Sequence, residues 1–373
     1  MDQETEIKAS NILVSWIAKN QINLTELSPL IAWELADTER AIAFDITPDN
    51  VEERLIVRAN LWAKLVDKIL DFFPLQWQEK GTLSHRSRTL IESLWKLWLP
   101  LSLQLATEKQ RLRRPFVQGI LGGQGTGKTT LATVLKLILA QLGHKTLSLS
   151  LDDLYKTYTE RQQLREEDPR FIWRGPPGTH DIELGIKVLD ELRRSSQIAD
   201  LNTLKNSPLI EVPRFDKSAW GGAGDRTTPE RVNEIEIVLF EGWFVGVRPI
   251  DPESFQVAPP PILTESDRQF ARDINAKLRD YLPLWERCDR LMILYPHDYR
   301  LSQQWRCQAE QEMMATGRSG MTDEEVNQFV EYFWKALHPE LFMKPLVNNA
   351  EWVNLVVEIN QNHAVERIYR PRE

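Results

Sequence analysis

Apolar residues recur at helical spacing through residues 1–110. Trp62, Val66, Ile69 and Phe73 form one stripe, and Leu90, Leu94, Leu97 and Leu101 form a second. Steps of three and four place each set on one face of a helix. Pro74 and the polar stretch 78–88 separate these into a pair of helical groups, because proline and polar clusters interrupt helices. Tryptophans crowd this region of the chain: Trp16, Trp33, Trp62, Trp77, Trp95 and Trp98. Such stripes are expected to pack on one another and on the domain that follows, in preference to forming a partner surface. Residues 1–110 therefore read as a helical N-terminal region without nameable chemistry. The basic cluster Lys109, Arg111, Arg113 and Arg114 reads as a solvated helix end or linker.

From residue 115 strand and helix signals alternate. Strands are expected at 116–121, 146–151, 209–212, 235–240, 291–294 and 352–359, the last closing the sheet. Between them lie a helix over 131–139 ended by Gly143, and one capped by Thr179 or Asp181 with Ile182, Ile186 and Leu189 on one face. A further helix is expected over 266–282. Another opens on the capping box Thr322-Asp323-Glu324-Glu325 and carries Val326, Val330, Phe333 and Trp334. The stretch 247–264, with Pro259-Pro260-Pro261, reads as a loop. This alternation predicts an α/β fold with a mainly parallel sheet flanked by helices. Residues 111–373 are expected to form that domain, with a lid around 296–322.

Charge and composition narrow the partners. A formal net charge of −8 lacks the basic footprint of a general nucleic-acid binder, while leaving room for a small anion held by a few local cations. Cys288 and Cys307 fit no disulfide or metal framework. The acidic start Met1-Asp2-Gln3-Glu4-Thr5-Glu6 has no signal-peptide layout. The longest apolar runs are broken by Lys96 and Lys136, short of the ~20 residues that cross a membrane. A cytoplasmic protein, with no membrane and no nucleic-acid partner, is the expectation.

Chemistry concentrates in Gly122-Gly123-Gln124-Gly125-Thr126-Gly127-Lys128-Thr129-Thr130. It fits G-x-x-x-x-G-K-[ST], between an apolar strand and a helix. Glycines let backbone N–H groups turn toward phosphate oxygens, and the helix N-terminus adds positive potential. Lys128 is expected on the β- and γ-phosphates of ATP, and the Thr129 hydroxyl on Mg²⁺. The fold expectation sharpens accordingly to a P-loop NTPase fold preceded by a helical N-terminal region.

Two acidic positions extend the site. Asp152 and Asp153 stand at the C-terminal end of the second strand, outside which ligands of open α/β sheets bind. A carboxylate there can take a proton from an attacking hydroxyl. Glu241 follows the apolar run Ile237-Val238-Leu239-Phe240, a position suited to Mg²⁺, directly or through water.

Ser150-Leu151-Asp152-Asp153-Leu154-Tyr155 resembles the D-[DS]-F-Y segment of the uridine kinase, phosphoribulokinase and pantothenate kinase group. Three further segments resemble the glycerate 3-kinases of plants and cyanobacteria. They are Arg174-Gly175-Pro176-Pro177-Gly178-Thr179-His180-Asp181, Pro213-Arg214-Phe215-Asp216-Lys217-Ser218 and Phe240-Glu241-Gly242-Trp243-Phe244-Val245-Gly246. The resemblance spans residues 115–363. It implies Asp152 as base, D-glycerate as substrate, 3-phosphoglycerate as product, and a role in photorespiratory glycerate recovery. A small carboxylate needs cations, for which Arg174, Arg214 and Lys217 are candidates. His180 and Asp181 are candidate substrate or orienting groups. Gly221-Gly222-Ala223-Gly224 reads as a mobile loop ended by Asp225 and Arg226. Arg306, and secondarily Arg318, are lid candidates for the transferring phosphate. A nucleoside, pantothenate or sugar-phosphate acceptor, or hydrolysis without an acceptor, are the rival readings.

Overall fold

The computed structural model describes residues 3–19, 21–73, 75, 83–195, 209–315 and 320–372. Pro74, Trp77, residues 78–82 of the polar stretch and the lid candidate Arg318 lie outside them. Among the described residues six α-helices come first: α1 (Gln3–Lys19), α2 (Leu27–Ala36), α3 (Thr38–Ala43), α4 (Val51–Phe72), α5 (His85–Ser93) and α6 (Leu99–Gln110). Helix α5 begins inside the stretch expected to be polar linker, because the Ser84 hydroxyl accepts from Ser87 N and caps it. The alternating region follows: β1 (Phe116–Gly122), α7 (Lys128–Gln141), β2 (Thr146–Ser150), α8 (Tyr158–Glu167), α9 (Ile182–Ser195), β3 (Ile210–Asp216), β4 (Asp225–Val232) and β5 (Ile237–Gly242). It ends with α10 (Glu265–Lys277), α11 (Leu282–Trp285), β6 (Arg290–Pro296), α12 (Leu301–Ala315), α13 (Asp323–Ala336), α14 (Pro339–Phe342), β7 (Leu355–Ile359) and β8 (Val365–Tyr369).

The main sheet runs β2-β5-β1-β6-β7-β8, parallel throughout except β8. β1 and β5 are buried along their whole length, as strands covered on both faces must be. Alternate residues serve different cores. Phe116, Ile120, Ile237 and Leu239 face α7 and the N-terminal helices. Val117, Leu121, Val238 and Phe240 face the core that includes Leu189 of α9, Ile274 of α10 and Phe333 of α13. The tryptophan stripes pack as the sequence suggests: Trp62 and Ile69 are buried in the α7-side core, as are Leu94, Leu97 and Leu101.

Two strands escape the apolar pattern. β4 is mostly exposed and pairs antiparallel with β3 in a separate two-stranded sheet. The short strand expected at 209–212 is thereby lengthened and taken out of the main sheet. β8 adds an antiparallel edge beyond β7, so the strand expected at 352–359 does not close the sheet. That strand also starts later, because Asn349 Oδ1 holds Trp352 N in a turn. The expected proline loop at 247–264 contains a 3₁₀ turn over Pro252–Val257. Among the described residues no helix is long and apolar enough to cross a membrane.

Candidate active site

The loop between β1 and α7 turns on glycines with left-handed backbone. Gly125 has φ 76° and Gly127, which caps α7, has φ 85°, conformations that cost other residues free energy. Thr126 Oγ1 donates to Gly123 O at 2.9 Å, and Lys128 Nζ donates to the same carbonyl at 2.8 Å. Thr129 and Thr130 follow in the first turn of α7, both exposed. Gln124 is half-buried in the loop.

The acidic segment is built by a 3₁₀ turn, Leu151–Leu154, at the end of β2. Ser150 Oγ accepts from Asp152 N, and Asp153 Oδ2 accepts from Ser150 N at 3.0 Å. Asp153 is therefore occupied in the cap, and Arg214 Nη1 donates to the same oxygen at 2.8 Å. Burial pushes the Asp153 carboxyl up against these bonds. Asp152 is left to face the site. Lys217 Nζ lies 2.6 Å from Asp152 Oδ2. Burial raises the Asp152 carboxyl, but the Lys217 ammonium and the Tyr155 hydroxyl outweigh it, and the net shift is downward.

Glu241 stands at the end of β5, in register with Ser150 of β2 and Ile120 of β1. Burial raises its carboxyl against the pull of Lys128. Burial likewise lowers the Lys128 ammonium, opposed by Glu241 and Asp152. Lys128, Asp152, Glu241 and Lys217 thus form one mutually interacting group at the C-terminal ends of β1, β2 and β5. Thr129 and Glu241 carry hard oxygen atoms of the kind that Mg²⁺ accepts beside phosphate oxygens. Among the described residues no three His, Cys, Asp or Glu side chains gather into a metal cage. The donor set fits a metal carried chiefly by the nucleotide.

A bridge between Tyr155 and His180 aligns the acidic segment with the segment starting at Arg174. Lys156 N donates to Thr179 O at 3.0 Å and Asp181 N to Leu154 O at 2.7 Å. His180, 2% exposed, stacks on Tyr155 with ring centroids 4.6 Å apart. Asp181, not Thr179, caps α9, accepting from Leu184 N, and its other oxygen is held by Arg226 Nη2 at 2.8 Å. Arg174 Nη1 donates to Gly222 O at 2.7 Å and to Ala223 O at 3.0 Å. Arg161 Nη1 donates to Ala223 O at 2.7 Å. The glycine run expected as a mobile loop is the tip of the β3–β4 hairpin, with its carbonyls held by two arginines. Arg214 is shared between Asp153 and Glu230. Of the three cations expected for a substrate carboxylate, Lys217 is the one that touches Asp152.

On α12, Arg306 pairs with the buried Glu310 at 2.5 Å and lies over the Phe329 ring. The α12 residue that meets the loop is its neighbour. A Cβ added to Gly125 would come within 2.7 Å of Trp305 Cβ. Trp305 in turn stacks on His363 at 4.4 Å and donates Nε1 to Gln361 O. Tyr155 is marked in the sequence by the segment that resembles the kinase group, but Trp305, which meets Gly125, and Tyr281, which meets His180, carry no sequence signal. Their partners lie far away in the chain, where periodicity is silent.

The chain is similar to known kinases, though no family model matches it. Over 317 residues it is 28% identical to the chloroplastic D-glycerate 3-kinase of Arabidopsis thaliana, covering 80% of this chain and 64% of that protein's length. It is 32% identical over 228 residues to the uncharacterized kinase mug58 of Schizosaccharomyces pombe, covering 59% of this chain and 79% of that one. The solved D-glycerate 3-kinase from Cryptococcus neoformans superposes with a TM-score of 0.62 at 28% identity, over 72% of this chain and 97% of that chain.

Proposed function

The chain belongs to the glycerate 3-kinase family of P-loop kinases, and from that premise we propose that it transfers the γ-phosphate of ATP to the 3-hydroxyl of D-glycerate, giving 3-phosphoglycerate and ADP. The observation that carries this reading is the Asp152–Lys217 pair set beside Lys128 and Glu241. A nucleotide switch needs one acid for its Mg²⁺, a part Glu241 can fill; a second carboxylate, Asp152, held ionised by its own lysine, has its use in a kinase with a hydroxyl acceptor.

Phosphoryl transfer passes through a loose transition state, so the protein mainly positions groups and neutralises charge. The acceptor hydroxyl keeps its proton until late, and a carboxylate of low basicity such as Asp152 suffices to receive it. Lys128 binds the terminal phosphates and Thr129 with Glu241 would hold Mg²⁺, which when bound neutralises charge on the β- and γ-phosphates. Lys217 keeps Asp152 ionised and offers the substrate carboxylate a cation from an exposed hairpin. Arg174 and Asp181 hold the rim, and Arg214 with Asp153 fixes the turn that aims Asp152. Arg306, paired with Glu310 on α12, would have to leave that pair to meet the transferring phosphate.

The test is ADP release from ATP–Mg²⁺ in the presence of D-glycerate, L-glycerate, uridine, pantothenate or ribulose 5-phosphate. Release that depends on D-glycerate is the expected result. Release driven by another member of the panel reassigns the substrate, and steady release indifferent to all of them removes the acceptor kinase altogether.

A further inference from the structure

His180 presents its two ring nitrogens to different surroundings. Nδ1 lies 2.8 Å from Tyr281 Oη. Nε2 is buried and has no hydrogen-bond partner among the described residues. A buried polar atom left unpaired costs about 1–3 kcal/mol, and native structures keep few of them without a use.

The tautomer follows from Tyr281. Its Oη is buried and accepts from Gly178 N at 2.9 Å. A phenol oxygen accepts two hydrogen bonds and donates one. The buried hydroxyl's own proton needs an acceptor, and of its two hydrogen-bond partners, Gly178 N and His180 Nδ1, the ring nitrogen is the one that can accept it. The imidazole proton then sits on Nε2. Burial keeps the ring neutral, its pKa pushed down to about 3. His180 is thus a neutral side chain with a single buried donor.

His180 borders the acceptor side of the site, beside Tyr155 and the acidic segment. Asp152 is the charged group that acts most strongly on His180. Tyr155, stacked on the imidazole, is hydrogen-bonded to Asp152, and the Phe244 ring closes another side at 5.5 Å. A second carboxylate this close to ionised Asp152 would meet repulsion that one neutral donor does not offset. A hydroxyl oxygen carries no such charge.

We propose that His180 Nε2–H is a specificity-determining donor for the hydroxyl on the carbon next to the phosphorylated one, with Tyr281 as the positioning residue that fixes its tautomer. The inference rests on the D-glycerate reading for the identity of that hydroxyl. A site built to bond a substrate hydroxyl rejects the analogue that lacks it, because its own donor is then left unpaired.

The experiment compares D-glycerate with 3-hydroxypropionate, which keeps the carboxylate and the primary hydroxyl and lacks the 2-hydroxyl. The full-length protein is expected to prefer D-glycerate by about 100-fold or more in kcat/KM. His180→Ala is expected to bring the two acceptors nearly level while leaving the KM for ATP in place. His180→Gln, which keeps an amide donor, is expected to restore some of the preference, and Tyr281→Phe to lose some of it. In parallel, long-range ¹H–¹⁵N correlation on the unmutated protein reads the His180 tautomer independently of any variant's folding. An Nε2–H signal that moves when D-glycerate binds is the expected result. An Nδ1–H tautomer, or a preference that His180→Ala leaves unchanged, overturns the proposal. If a different acceptor from the panel is turned over, the D-glycerate reading alone has failed, and the same ratio is measured between that acceptor and its deoxy analogue.

Discussion

Asp152 must be ionised before it can receive a proton, and its surroundings decide that. Burial opposes ionisation, and Lys217 at 2.6 Å with the Tyr155 hydroxyl reverses the balance. The carboxylate is therefore present throughout the neutral range, so activity carried by Asp152 should not fall as pH drops from about 8 to about 6. Replacing Asp152 by Asn keeps the shape and removes the proton acceptor. It is expected to lower kcat by about 100-fold or more while ADP and ATP titrations of the variant stay close to the unmutated protein. Loss of nucleotide affinity in that variant would assign Asp152 to the architecture of the loop. Asp152 and Lys128 were legible in the sequence because strand ends and glycine turns impose local residue types. Tyr281 was not, since it reaches His180 across 101 positions of chain.

Among the elements, the phosphate loop and α12 are built against each other. A Cβ at Gly125 would collide with Trp305 Cβ at 2.7 Å, and the backbone there already has φ 76°. Gly125→Ala is expected to weaken ATP binding by about tenfold or more, since a left-handed alanine costs about 1–2 kcal/mol before any clash, measurable by nucleotide titration. Unaltered affinity would mean that the loop and α12 separate at little cost. The helices α10 and α13 are joined differently, by Asp267, which closes the α10 capping box and pairs with Lys335 at 2.8 Å. Burial raises its carboxyl, but Lys335 and Thr264 bring it down from 3.8 to about 2. A depressed carboxyl contributes stability that is complete above about pH 4 and disappears as pH falls through about 2. Asp267→Asn is expected to cost about 2 kcal/mol in urea unfolding at about pH 7, with the difference from the unmutated protein closing toward about pH 2. A constant difference across that range would place its role in packing. The capping boxes at Thr264 and Thr322 obey local rules, and the second was read from sequence. β4 was missed because seven of its eight positions are not buried, so no apolar alternation marks it.

For the molecule as a whole, the N-terminal helices and the sheet share a core. Leu65 and Val66 of α4, Leu105 of α6, Leu135 and Ile138 of α7, and Ile237 of β5 belong to one buried cluster. Helical periodicity foretold the buried stripes, but which face of the sheet they cover depends on tertiary contacts that a single stripe does not encode. Within the same region Glu34 is fully buried and held by Arg58 at 2.7 Å, and breaking such a pair costs about 3–5 kcal/mol. A chain starting at residue 111 would bare the α7 side of the core. It is expected to aggregate or lose its cooperative thermal transition, as followed by calorimetry and light scattering. A monomeric fragment with the thermal stability of the full chain would instead make the helices a dispensable attachment.

The most direct measurement is proton-coupled ³¹P NMR of the product formed from ATP–Mg²⁺ and D-glycerate. Transfer to the 3-hydroxyl places phosphorus next to a CH₂ group, and its signal is expected as a triplet. A doublet, from phosphate on the 2-hydroxyl, or inorganic phosphate alone would contradict transfer to the primary hydroxyl by this site.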